Sequence, residues 1–165
     1  MNDLPEYRLE RVFDAPRTLV WRTWTEPELL ARWYGPGVET IIHRFDLEPG
    51  GEWRNEMKWG EKSFLSKMVF QEVVPPEKLV WHHSSTDTDW NIISNPMMPG
   101  WPDVLLTTVV FEEDGAKTNV SLTMAPLDAT ETEAASFAEA MSNMDSGWGK
   151  GYAVLDELID QLKNQ

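Results

Sequence analysis

Residues 147–162 read GWGKGYAVLDELIDQL, and the pattern of this stretch decides which fold the chain can build. Large apolar residues recur in it every three or four positions, as they do along one face of an amphipathic helix. They are Trp148, Tyr152, Leu155, Ile159 and Leu162. A helix with such a face needs an equally long apolar surface to cover it. The glycines at its start predict a kink or a close approach to the partner layer.

The partner surface is predicted by the middle of the chain, where the apolar period changes from helical to two. In residues 52–59, EWRNEMKW, charged side chains alternate with four that share the opposite face. Those four are Trp53, Asn55, Met57 and Trp59. Residues 78–84, 104–111 and 119–124 predict further strands, and turn signals separate them. These strands together predict an antiparallel meander with one wet face.

Shorter elements flank this meander. Residues 7–13 alternate well enough for a first strand, and two short helices follow it. In TEPE at 25–28, Thr25 and Glu28 have the spacing of a capping box, which predicts the start of the second helix. A further helix is predicted at 132–141, separate from the last one.

An aromatic pair, Trp33 and Tyr34, stands directly before the glycine that ends the second short helix, Gly35. We expect Trp33 to be an apolar plug where this helix meets a cleft beside the sheet, or simply part of the core, since tryptophan commonly buries a large area. Tyr34 is expected at the surface with its hydroxyl in water.

The elements together predict an α+β fold. A curved antiparallel sheet of about six to seven strands wraps around the long C-terminal helix, with two short helices after the first strand. We expect residues 1–165 to form one domain, because no composition shift or repeat marks a boundary. Where the sheet curves around the helix, the two layers diverge and a cleft opens between them.

The stretch VWRTWTEPELLARWYGP at 20–36 resembles the signature of the family related to activators of the heat-shock-protein ATPase. That family belongs to the START-like (SRPBCC), helix-grip superfamily. The likeness continues at 46–54, 70–81, 109–124 and 147–158. The resemblance implies a helix-grip fold with a cavity between the sheet and the C-terminal helix. Members of this superfamily bind lipids, hormones or polyketides, some cyclise or hydrolyse polyketides, and many have no known role, so the resemblance does not imply what the cavity contains.

Composition excludes several partners. The 165 residues carry a formal net charge of −14, which repels phosphate backbones and anionic lipid heads, so neither nucleic acid nor a membrane is expected as a partner. The absence of cysteine excludes disulfides and fits a cytoplasmic location. The first ten residues do not resemble a secretory signal, and no apolar run approaches the ~20 residues of a membrane helix.

The inward-facing positions are rich in tryptophan and methionine, which adapt around variable contents. They predict a pocket for a small, flat hydrophobic molecule, aromatic or lipid-like; an aromatic core is the alternative interpretation. The candidate ligand-binding residues are Trp33, Trp53, Asn55, Met57, Trp59, Trp81, His83, Trp90, Met124, Trp148 and Tyr152.

Histidine is the only candidate for proton transfer in this set. His82 and His83 are adjacent on a strand and therefore face opposite sides, so they cannot chelate one metal together. His83 faces inward with Trp81 and is the candidate catalytic residue, with a structural role as the alternative. The sequence contains no HExxH or comparable cluster, and we expect neither a metal nor a cofactor.

One segment is too long and too apolar for a simple hairpin loop. Residues 84–103 join two strands and include Trp90, Met97 and Trp101. The segment is expected to be a lid over the cavity, a contact in a homodimer, or a strand pair.

Three functions remain open at this point. The favoured one is a binding module without catalysis, because Asn55 and His83 are the only polar groups predicted to converge inside. The second is a polyketide cyclase or hydratase using the same cavity. The third, a chaperone ATPase regulator, is disfavoured because the chain has no room for a separate N-terminal chaperone-stimulating domain.

Overall fold

The chain forms one strand, two short helices, six further strands and one long helix over the residues that the structure describes, 5–35, 37–95 and 98–164. The structure is a computed structural model. The elements in chain order are β1 Tyr7–Phe13, α1 Arg17–Thr25, α2 Pro27–Trp33, β2 Glu39–Phe45, β3 Glu52–Trp59, β4 Lys62–Val74, β5 Lys78–Ser85, β6 Leu105–Asp114, β7 Lys117–Pro126 and α3 Glu131–Lys163.

The seven strands form one antiparallel sheet in the order β1-β7-β6-β5-β4-β3-β2. The run from β2 to β7 is the predicted meander, and β1 joins it at the β7 edge. Trp81 of β5 lies opposite Thr107 of β6, which in turn lies opposite Met124 of β7. This sheet with its long C-terminal helix and two short helices confirms the predicted helix-grip fold.

Helix α3 covers the inner face of the sheet. Its buried face includes Tyr152, Leu155 and Ile159 of the predicted stripe, while Trp148 and Leu162 are half-buried against the core. The expectation of two separate helices here is wrong, because α3 is continuous through its glycines. Each glycine costs a helix about 0.5–1 kcal/mol relative to alanine. Burial of the apolar face offsets this cost.

The N-terminal strand is tied to the same helix. The hydroxyl of Tyr7 donates to Asp145 Oδ1 at 2.7 Å, and Arg11 forms an ion pair with Asp156. Both acidic partners lie on α3. The first strand therefore packs against the last strand on one side and the last helix on the other.

Trp33 connects the two short helices. Its indole Nε1 donates to the carbonyl oxygen of Thr23 at 2.8 Å, and its ring lies edge-on to Trp24 with centroids 4.7 Å apart. With 1% of its surface exposed, Trp33 is a core residue. It also lies next to the space between α3 and the sheet, so both sequence interpretations of this residue hold.

The capping box predicted at Thr25 and Glu28 is wrong. Thr25 Oγ1 instead donates back to the carbonyl oxygen of Trp21 at 2.8 Å, and α2 begins without a side-chain cap. A capping box does occur at α3, where Thr130 Oγ1 accepts from the Glu133 amide at 3.1 Å. Glu133 Oε1 accepts from the Thr130 amide at 2.9 Å in return. The N-terminus of the longest helix is thereby satisfied.

Within the described residues, no helix is both long enough and apolar enough to cross a bilayer.

Replacement of Thr130 tests how much its capping box with Glu133 stabilises α3. We expect Thr130→Ala to lower the free energy of unfolding by about 1 kcal/mol, because an amide donor of the first turn loses its acceptor. Urea denaturation monitored by circular dichroism measures the change. Thr132→Ala, an exposed position in the same turn, is the matched control and should leave the unfolding midpoint nearly unchanged. Equal losses in the two variants would contradict the role of the cap.

Candidate functional site

A cavity of about 330 Å³ lies between the middle of α3 and the inner face of the sheet, next to the end of α2. Residues of α3, of the sheet and of the end of α2 all contribute to its walls. The described residues that line it are Trp33, Tyr34, Gly35, Met57, Trp81, His83, Thr107, Met124, Met144, Gly147, Trp148 and Gly151. The volume falls at the lower end of the range of small-molecule sites, about 300–1,000 Å³.

Glycines keep the helical wall of this cavity open. Gly147 and Gly151 are one helical turn apart and both line the cavity. A Cβ atom added at Gly147 would meet no atom within 4 Å, so the space beside it is empty. Gly149 has equally open surroundings but does not line the cavity. Because glycine has no side chain, the two lining positions on α3 leave space in the cavity that larger residues would fill.

A close backbone approach forms the wall at the end of α2. Gly35 has a φ of +78°, which favours glycine. A Cβ here would lie 2.8 Å from Thr40 Oγ1 and 2.9 Å from Met57 Cε, so no larger residue fits without displacing them. Thr40 Oγ1 also donates to the carbonyl oxygen of Tyr34 at 2.6 Å. The glycine thus lets the aromatic pair before it sit directly against β3.

Tyr34 was expected at the surface, but its ring lies against the core. The residue is half-buried and lines the cavity. Its ring lies 5.0 Å from that of Trp53 and 6.0 Å from that of Trp148, centroid to centroid. Tyr34 therefore bridges from the end of α2 to both the sheet and α3.

Several residues on the inner face of the sheet and in the core beside it carry polar atoms that are buried without a hydrogen-bond partner. Trp81 Nε1 and Thr107 Oγ1 belong to lining residues that are each 1% exposed, and neither atom has a hydrogen bond. Two more such atoms, Asn55 Nδ2 and Tyr152 Oη, lie in the core close by. Buried polar groups in native proteins are nearly always hydrogen-bonded, so these four unpaired atoms require an explanation.

His83 is a neutral residue in this site. It lies between the main cavity and a second one of about 60 Å³, which explains why the side chain keeps some accessible surface. Desolvation lowers the pKa of its imidazole to about 4. Burial also raises the pKa of the Tyr34 phenol. The described lining has no other titratable side chain and therefore carries no charge at neutral pH.

Six of the predicted ligand-binding residues line the cavity: Trp33, Met57, Trp81, His83, Met124 and Trp148. Three others lie in the core behind them. Trp53 packs edge-on against Trp81 at 5.6 Å and donates from Nε1 to Asn55 Oδ1 at 3.3 Å. Tyr152 packs against Trp148 with ring centroids 6.0 Å apart. These three support the lining residues rather than facing the empty space.

Trp59 lies outside the cavity. It follows the predicted alternation of β3, but it stands at the end of that strand, immediately before the turn at Gly60. There it is 37% exposed and stacks on Phe64 with centroids 6.5 Å apart. The strand extends beyond the part of the sheet that α3 covers, so a residue on the inner face is in solvent.

Trp90 also lies outside the cavity, on the outer face of the sheet. Its ring is 5.5 Å from the ring of His43 and 5.5 Å from Arg54 Cζ. Arg54 alternates with the inward residues Trp53 and Asn55, so its side chain points away from α3. The expected contribution of Trp90 to ligand binding is therefore not supported by its position.

No described residue of the 84–103 segment lines the main cavity, which does not support the expected lid. The first part turns at Asp87, whose Oδ1 accepts from the amides of Asp89 and Asn91. The last part packs Trp101 on Phe137 of α3, with centroids 5.6 Å apart. Met97 of this segment lies outside the described residues. The strand pair was the third expectation, and the described part of the segment contains one isolated antiparallel bridge, between Thr86 and Ile92.

Sequence reasoning missed six lining residues: Tyr34, Gly35, Thr107, Met144, Gly147 and Gly151. A signal existed for Thr107, which alternates with the inward positions Leu105 and Val109 on a predicted strand. The glycines carried a signal as well, because two of them are four residues apart on the helix. Nothing in the sequence indicated that Tyr34 turns inward.

Among the described residues, no group of three or more His, Asp or Glu side chains converges to hold a metal ion.

The fold and cavity define a helix-grip protein of the START-like type. The profile of the family described as "Activator of Hsp90 ATPase homolog 1-like protein" matches residues 14–160, and the chain belongs to this family. The resemblance noted at residues 20–36 is thereby confirmed. No curated protein sequence matches the chain significantly.

Solved structures from bacteria share the fold. A protein of Nitrosomonas europaea is 25% identical, with all of both chains covered and a TM-score of 0.75. A protein of Arthrobacter aurescens is 19% identical, with 94% of this chain and 86% of that one covered and a TM-score of 0.79. A protein of Staphylococcus epidermidis is 20% identical, with 98% and 93% covered and a TM-score of 0.78.

The depressed pKa of His83 makes stability depend on pH. The unfolded chain binds a proton at this residue near pH 6.5, whereas the folded chain does so only near pH 4. Unfolding is therefore favoured as the pH falls through this window, with a slope of up to about 1.4 kcal/mol per pH unit. Above pH 6.5 the contribution is constant.

Urea denaturation measures the slope of the unfolding free energy against pH. A series between pH 7.5 and pH 5 spans about the upper half of this window. His83→Gln should remove it, because the variant has no imidazole to protonate. His82→Gln, on the opposite face of the same strand, is the matched control and should keep the slope of the unmodified protein. A slope that survives His83→Gln would show that other groups produce it.

Proposed function

We propose that this protein binds a small, flat hydrophobic molecule in the cavity between α3 and the sheet. The observation that supports this most directly is the cavity itself, about 330 Å³ of partly open space lined mainly by aromatic and methionine side chains. An unfilled apolar space of this size is destabilising, because its walls lose packing contacts. A ligand that fills it regains these contacts, which makes binding favourable.

The lining suits an aromatic or other flat ligand. Trp33, Trp81 and Trp148 offer ring faces and edges, and Met57, Met124 and Met144 offer flexible thioethers. Aromatic rings stack or meet edge-to-face with an additional gain beyond area burial. Methionine adjusts its shape to the guest. The combination accommodates related apolar molecules rather than one rigid shape.

Binding is favoured over catalysis by the chemistry of the lining. General acid–base catalysis needs two groups whose pKa values suit proton transfer near the working pH. His83 has its pKa lowered to about 4, and no carboxylate lines the cavity among the described residues. A cyclase or hydratase reaction would lack a paired acid and base here. Chaperone regulation rests on the family's description alone.

A neutral fluorescent probe tests the proposal. N-phenyl-1-naphthylamine is uncharged, and its emission rises in apolar surroundings. We expect saturable binding at micromolar concentration, on the order of 8 kcal/mol of binding free energy. Gly147→Leu places a large side chain at the rim of the cavity and should weaken this binding about tenfold, or about 1.4 kcal/mol, since the side chain occupies space that the probe would fill. Fluorescence titration provides both dissociation constants.

Gly149→Leu is the matched control. It makes the same change two residues away, where the helix has open surroundings but does not line the cavity. Both variants remove a helix glycine, so neither should lower the melting temperature. The proposal fails if the probe does not saturate, or if the two variants weaken binding equally.

A further inference from the structure

Three polar side chains share one region of the cavity wall. Trp81 and Thr107 are direct partners on neighbouring strands, and His83 lies two residues beyond Trp81 on the same face. Trp81 Nε1 and Thr107 Oγ1 are buried without a hydrogen bond, and none joins the His83 side chain to the described residues. The opposite wall, on α3, consists of glycine, methionine and tryptophan. Among the described lining residues, the buried polar atoms without a hydrogen bond thus lie on the sheet side.

These partnerless groups are costly in the unfilled protein. A buried donor without an acceptor has lost its hydrogen bond to water and gained none in return. The adjacent space is large enough for a molecule that supplies the missing partner. Rotation about χ1 can turn the hydroxyl of Thr107 toward that space. The sheet side of the cavity is therefore suited to hydrogen bonding with its guest.

The available atoms determine what that guest must present. An indole Nε1–H only donates, and a threonine hydroxyl donates equally well. The complementary group is an acceptor oxygen. A carboxylate is also an acceptor, but burying it without a cation carries a large desolvation cost. The described lining contains no lysine or arginine, so it offers an anion no compensation.

We infer that the cavity selects an uncharged, flat molecule that carries a carbonyl oxygen, with Trp81 Nε1 and Thr107 Oγ1 as the groups that recognise that oxygen. This inference rests on the proposed function, since it names the ligand class of the same cavity. It assigns the ring system to the apolar wall on α3 and the carbonyl to the sheet. Fatty-acid and other carboxylate ligands are excluded by the same arrangement.

Three naphthalene probes of similar size separate these requirements. 2-Acetylnaphthalene carries a ketone, 2-ethylnaphthalene lacks the oxygen, and 2-naphthoate carries a charge. Equilibrium dialysis at pH 7.5 gives their dissociation constants. We expect the ketone to bind about tenfold tighter than the hydrocarbon, since one or two buried hydrogen bonds are gained. The carboxylate should bind more weakly than both.

Thr107→Val removes the hydroxyl while keeping the shape of the side chain. It should weaken binding of the ketone several-fold and leave binding of the hydrocarbon unchanged. Thr108→Val makes the same change on the opposite face of β6 and should alter neither. Melting temperatures of both variants at or above that of the unmodified protein confirm that they fold.

The outcomes distinguish this inference from the proposed function. If none of the three probes binds, the proposed function fails as well. If the ketone and the hydrocarbon bind equally, or if 2-naphthoate binds most tightly, the cavity is a binding site but the assigned ligand class is wrong. If Thr107→Val weakens the ketone and the hydrocarbon by the same factor, Thr107 acts by shape and recognition by its hydroxyl is overturned.

Discussion

The packing of α3 along the inner face of the sheet is the constraint on which the rest of the structure depends. The helix buries Tyr152, Leu155 and Ile159, and without the sheet this face would remain in water. The sheet in turn has an apolar face that only α3 is long enough to cover. Each layer thus requires the other. The cavity exists because this packing is interrupted near Gly147 and Gly151, where the helix offers no side chain to fill the gap.

The same interruption explains the aromatic pair at the end of α2. Where α3 and the sheet separate, another element has to close the side of the space, and Trp33 and Tyr34 do so. Trp33 is anchored by its bond to Thr23, while Gly35 lets the backbone pass close to Met57. The two short helices therefore serve as an end wall whose position is fixed by one indole hydrogen bond and one positive φ angle.

Much of the fold was predictable, because period-two alternation and helical periodicity report burial directly. Trp53, Asn55 and Met57 face inward as the pattern in β3 indicates. Trp59 follows the same pattern and is exposed, because alternation specifies a face but not how far the opposite layer extends. Trp90 lies away from the cavity for a related reason. Its position depends on long-range contacts with Arg54 and His43, which local sequence does not encode.

The pairing of β1 with β7, together with the bond from Tyr7 to Asp145, has a consequence for biosynthesis. Contacts that join residues 138 positions apart cannot form until the distal part of the chain has been made. During translation the meander would emerge with its apolar face uncovered, and β1 would lack its partner until β7 is made. A high share of such distant contacts also slows folding relative to helical proteins of the same length. The nascent chain is therefore most prone to aggregation just before α3 leaves the ribosome.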